Sequence, residues 1–121
     1  MKVVNGIKKF VREAPVLVDV AKSVKDATRI MDRRGVEYAI VHERGRVLGV
    51  ISIRDLKGNA SKGNFSRSRG VSLRRLAKYS RTVSSDVNSH EAAAIFREHP
   101  EVKVLPVLES GVIVGILKPP H

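Results

Sequence analysis

The chain contains no cysteine and no tryptophan. Disulfides and thiolate metal sites are therefore excluded. Aromatics are scarce, with two Tyr and three Phe, which leaves little material for stacking bases along a single strand. No apolar run approaches the ~18 residues of a membrane helix. The opening "MKVVNGIKKF" is charged early and lacks the apolar stretch of a signal peptide. These absences predict a soluble, cytoplasmic protein with no membrane partner. Acid is in short supply as well: 12 Asp and Glu stand against 23 Lys and Arg, a formal net charge of +11. That excess favours anionic partners, whether nucleotides, nucleic acid or an acidic protein.

Several kinds of chemistry find no footing. The four histidines, His42, His90, His99 and His121, are scattered, and none stands four residues from another. A metal site is not expected from such spacing. No nucleophile sits in a recognisable motif with a base, and there is no Walker or dinucleotide glycine loop. The expectation is a protein that is not an enzyme and requires no cofactor. At 121 residues the chain forms one module, burying roughly 65% of its unfolded surface.

What the sequence does have is an internal repeat. "VKDATRIMDRRGVEYAIVHERGRVLGVISIRD" lies on "SHEAAAIFREHPEVKVLPVLESGVIVGILKPPH". Asp26-Ala27 falls on Glu91-Ala92 and Ile30-Met31 on Ile95-Phe96, an offset of 65. After one extra residue near Glu101 the offset is 66: Val36 meets Val102, Val41 meets Val107, Gly45 meets Gly111, and Gly49 meets Gly115. Each copy reads as strand, helix, strand, turn, strand. Ser23-Val24-Lys25-Asp26 and Asn88-Ser89-His90-Glu91 are capping-box patterns at the helix starts. Ala27, Ile30 and Met31 form an apolar stripe, as do Ala92, Ile95 and Phe96. Gly45 and Gly111 suit tight hairpins. Pro106 predicts an edge strand or a bond left unmade there. The start, "NGIKKFVREAP", suggests a helix packing Ile7, Phe10 and Val11 and ending before Pro15.

The boundaries expected are a first repeat over 15–58, a basic linker and helix over 59–79, and a second repeat over 80–121 that lacks a terminal helix. The linker region is one-sided in charge: eight basic residues and no acid lie between Leu56 and Ser85.

These motifs resemble a cystathionine-β-synthase (CBS) domain pair. The first copy carries "SVKDA", "GVEYAIV" and "GVISIRD"; the second carries "SHEAA", "VKVLPV" and "GIL" before departing from the pattern. The resemblance implies an α+β fold of two β-α-β-β-α units packed sheet to sheet about a pseudo-twofold axis, here as a stand-alone pair that forms a homodimer. It also implies a regulatory module that binds an adenine nucleotide in the cleft between the repeats: AMP, ADP or ATP, with S-adenosylmethionine a lesser alternative. Asp55 is the family's ribose acid, and a carboxylate can accept both ribose hydroxyls. Ser52 can donate to a phosphate, with Arg54 adding charge. Tyr38, Ala39 and Val50 would wall the site, Arg81, Thr82 and Val83 would meet the adenine, and Lys103 would offset Glu37. In the second copy Lys118 replaces the hydroxyl and His121 the acid, so a site there with Val16 and Leu17 is not expected to grip a ribose. One competent site per chain follows. The rival is a basic face of Lys57, Lys62, Arg67, Arg69, Arg74, Arg75 and Lys78 that tracks the phosphates of a nucleic acid or meets an acidic protein. A ligand-free structural dimer is the third alternative.

Overall fold

A computed structural model describes residues 11–61, 72–78 and 80–119. The elements run β1 (Val11–Glu13), β2 (Leu17–Asp19), α1 (Val24–Arg34), β3 (Tyr38–Glu43), β4 (Arg46–Ser52), α2 (Ile53–Ser61), α3 (Leu73–Leu76), β5 (Val83–Ser84), α4 (Ser89–Glu98), β6 (Leu105–Glu109) and β7 (Val112–Lys118). They divide into two compact units: residues 16–79, and a composite of residues 1–15 with 80–121.

In the 16–79 unit the sheet order is β2-β3-β4, with β2 parallel to β3 and β3 antiparallel to β4. Alternation on β2 buries Val18 and exposes Leu17 and Asp19. Helix α1 presents Val24, Ala27 and Met31 to the core, where they join Val41, Ile51, Leu56 and Leu73. The Ser23 side chain accepts from the Asp26 amide at 3.0 Å, which stops short of a reciprocal box. Gly35 ends α1 in the left-handed region at φ 67°, the conformation that costs glycine least.

The composite unit has the order β1-β7-β6-β5. Its core gathers Val83, Val87, Ala92, Leu105, Val107 and Leu117. Here the capping box is complete: Asn88 accepts from the Glu91 amide at 2.9 Å, and Glu91 accepts from the Asn88 amide at 3.5 Å. Pro106 lies on an interior strand, not an edge. Pairing with β5 reaches only Val107 and Leu108, so no donor is required of Pro106 on that side.

The copies share finer detail than their sequences suggest. Both hairpins turn through two residues of positive φ, Arg44-Gly45 and Ser110-Gly111, which matches strand twist. Both carry a bulge at one place, between Val41 and His42 in β3 and between Val107 and Leu108 in β6.

One expectation is corrected. The N-terminal stretch is not helical up to Pro15: Val11–Glu13 is a strand, paired antiparallel to β7 as Val11 to Lys118, Arg12 to Leu117 and Glu13 to Ile116. Ladder bonds to an available edge override a modest helical preference. Ile7 and Phe10 lie outside the described residues. The matching segment of the other copy does the same thing. Lys78 bridges Val50 on β4 with two backbone bonds of 2.9 Å. Glu13 and Lys78 are 65 residues apart, and Val50 and Ile116 are 66 apart, so the register repeats. The run preceding each repeat thus covers the last strand of the other.

Candidate functional site

The corner where β4 passes into α2 collects the polar residues. Ser52 ends the strand, and its Oγ accepts from the Asp55 amide at 3.0 Å. A hydroxyl that accepts in this way still has its own proton to donate. The helix begins at Ile53, two residues before Asp55. Asp55 therefore stands in the first turn, where the helix's positive end favours a carboxylate. Its side chain is 43% exposed, so the carboxylate is within reach of solvent species. The Ile53 amide donates to the Glu37 carbonyl at 2.8 Å, which ties the helix start to the strand before it.

Gly49 and Lys78 complete the corner. A Cβ on Gly49 would lie 2.6 Å from the Lys78 carbonyl oxygen. Only glycine admits the linker backbone this close to β4. With its main chain held on Val50, Lys78 brings its Nζ to 3.5 Å from Asp55 Oδ2. The site thus joins an acid, an alcohol and an ammonium on one face. Asp55 and Ser52 were expected here. Lys78 was expected on the basic face, and the structure moves it to the acid. The signal that could have placed it was the repeat itself, carried upstream to align Lys78 with Glu13.

The other expected residues distribute as follows. Tyr38 is half-buried opposite Ser52, and Ala39 is buried opposite Ile51. Val50 is half-buried, and Arg54 and Glu37 are exposed. In the composite unit Arg81 and Thr82 are exposed just before β5, whereas Val83 is buried. Lys103 is exposed in a loop two residues short of β6. In the second copy's corner Lys118 Nζ sits 3.2 Å from Glu13 Oε2. Val16 is buried, Leu17 is exposed, and His121 lies outside the described residues.

Of the basic stretch, the described members are held as follows. Lys57 pairs with Asp32 of α1 at 3.0 Å, Arg74 with Glu43 of β3 at 3.1 Å, and Lys78 with Asp55. Arg75 stands in α3, where its amide donates to the Ser72 hydroxyl. Lys62, Arg67 and Arg69 lie outside the described residues. Among the described residues no group of three or more His, Cys, Asp or Glu could hold a metal. No helix among them is long and apolar enough to cross a membrane.

Comparison with known proteins adds the following. Residues 7–61 match the family described as CBS domain. No curated protein matches the chain. Among solved structures, CBSX2 in complex with AMP is similar at 26% identity and a TM-score of 0.67, over 86% of this chain and 81% of that one. The CBS domain pair of MJ0100, in complex with 5′-methylthioadenosine and S-adenosyl-L-methionine, is 15% identical with a TM-score of 0.70, over 93% and 92%. The CBS-domain containing protein ATU1752 from Agrobacterium tumefaciens is 23% identical with a TM-score of 0.68, over 88% and 84%.

Proposed function

We propose, from the premise that this chain belongs to the CBS-domain family and has the α+β fold of a CBS pair, that it is a regulatory module binding an adenine nucleotide through Ser52, Asp55 and Lys78. The observation that carries the reading is the placement of an exposed lysine 3.5 Å from the family's ribose acid. Asp55 accepts the two ribose hydroxyls. Ser52 and Lys78 donate to the phosphate. A phosphate ~6 Å from a bare carboxylate would be repelled by about 3 kcal/mol at an effective dielectric of ~20. Glu37 adds to that repulsion, and Lys78 offsets both.

The lysine also favours one ligand class. It attracts the tail of AMP, ADP or ATP and repels the sulfonium of S-adenosylmethionine. Arg54, Tyr38, Ala39 and Val50 belong to the same proposed site. Arg81, Thr82, Val83 and Lys103 enter it on the resemblance alone, as does the homodimer. In the second copy His121 stands at the position matching Asp55, so no acid occupies it, and Lys118 is already engaged by Glu13. The module binds and reports; it carries out no reaction of its own.

Titration calorimetry and thermal shift with AMP, ADP, ATP and S-adenosylmethionine test this. We expect AMP-type ligands to raise Tm and Asp55→Ala to abolish the effect. Lys78→Gln should weaken AMP at least tenfold and leave adenosine nearly unchanged. A shift that survives Asp55→Ala would reduce the effect to charge attraction.

A further inference from the structure

The solvent face of α1 carries a row of cations that neither the fold nor the nucleotide site uses. Lys25, Arg29 and Arg33 recur every fourth residue, all exposed. With Thr28 and Asp32 they line one shallow depression opposite the buried Val24, Ala27 and Met31. Lys57 of α2 joins the row through Asp32 at 3.0 Å. Two carboxylates moderate the patch: Asp32, and Asp26 at 3.4 Å from Arg29. Among the described residues no acid pairs with Lys25 or Arg33. Four cations therefore face two acids.

The second copy is an internal control. At the matching positions α4 has His90, Ala94 and Glu98. It keeps the apolar stripe and loses the cations, so packing a helix on this sheet does not call for them. Lys25 even lies in the first turn of α1, where the helix dipole disfavours a positive charge. Arg33, in the last turn, sits where the dipole favours a cation, so the dipole does not account for the row. A row present in one copy and absent from the other is a feature of its surface.

We infer that this face of α1, with Lys57, binds the sugar-phosphate backbone of a nucleic acid. Lys25 to Arg33 spans ~12 Å at 1.5 Å per residue. One strand of a duplex presents three or four phosphates over about that length of axis. A protein partner would be anchored by apolar side chains at its centre, and the depression's lining residues include none. A membrane would need an apolar face to insert, and the apolar stripe of α1 is buried. The contact reads backbone charge and not base sequence, and it stands whether or not Asp55 holds a nucleotide.

The test is fluorescence anisotropy with a labelled mixed-sequence DNA duplex and a matching single-stranded RNA, from about 50 to 200 mM salt. Phosphatidylserine vesicles and polyglutamate serve as competitors. The intact chain should bind at least one nucleic acid, with affinity falling steeply as salt rises. Lys25→Gln with Arg29→Gln and Arg33→Gln should weaken binding at least tenfold and reduce the log–log salt slope by about 2 to 3. An equal charge loss at Lys62, Arg67 and Arg69 should do less. Circular dichroism checks that the α1 triple variant remains folded; all three sites are exposed and glutamine is helix-compatible. Absence of binding at low salt, equal losses in the two triple variants, or equally effective competition by vesicles or polyglutamate would overturn the assignment.

Discussion

In the 16–79 unit Val50 faces Lys78, and that lysine reaches an acid, Asp55. In the composite unit Ile116 faces Glu13, and that glutamate reaches a lysine, Lys118. Pairing register, hairpin and bulge are the same in both, and the charges are exchanged. Exposed ion pairs contribute only about 0–1 kcal/mol, so neither polarity is needed to hold the corner together. The backbone arrangement is common property, and the side chains placed on it have parted: a covering lysine that meets an acid of the repeat in one copy, a covering glutamate that meets a lysine of the repeat in the other.

Three experiments sharpen or break that comparison. The largest effect is expected in the cores. Met31 is fully buried, and its counterpart Phe96 is only half-buried. Met31→Ala should destabilise by ~2–5 kcal/mol and Phe96→Ala by less, despite the larger ring. Equal losses in urea denaturation would mean that the two helices are packed alike. Next comes Gly49→Ala. The added methyl meets the Lys78 carbonyl at 2.6 Å, and the overpacking should cost ~1–3 kcal/mol. A matching cost for Gly115→Ala would extend the equivalence of the two crossings, and an unchanged midpoint for Gly49→Ala would deny the close approach. The smallest effect is expected for the ion pairs. Lys78→Gln and Glu13→Gln should each move stability by under about 1 kcal/mol, while only Lys78→Gln weakens AMP binding. Loss of AMP binding with Glu13→Gln would place a ligand at the wrong copy.

Much of this was legible in the sequence because it rests on local chemistry and on repetition. Glycine at a hairpin, an oxygen side chain before a helix and an apolar stripe are short-range signals, and finding them twice in order made them mutually supporting. Asp55 and Ser52 were visible for the same reason. Lys78 was not, because its role depends on a backbone crossing to a strand 28 residues away, and a basic residue among basic residues carries no sign of which acid it will meet. The N-terminal strand was hidden likewise. Val11-Arg12-Glu13 has no marked strand character, and what makes it extended is the open edge of β7, about a hundred residues later in the chain. The row on α1 carries no signal by itself, since exposed lysines and arginines are ordinary on a helix; the matching helix of the second copy, which lacks them, is what sets it apart.

Since β1 lies on β7 and Lys78 lies on β4, a gene severed between the repeats would yield two fragments that each own a cover and lack the edge it fits. Neither piece would be a smaller version of the whole. Mixed together they should rebuild the protein, as complementing halves do, and kept apart each would offer an unprotected strand to any passing chain. The duplication is thereby locked in: neither repeat can be deleted without uncovering the one that stays.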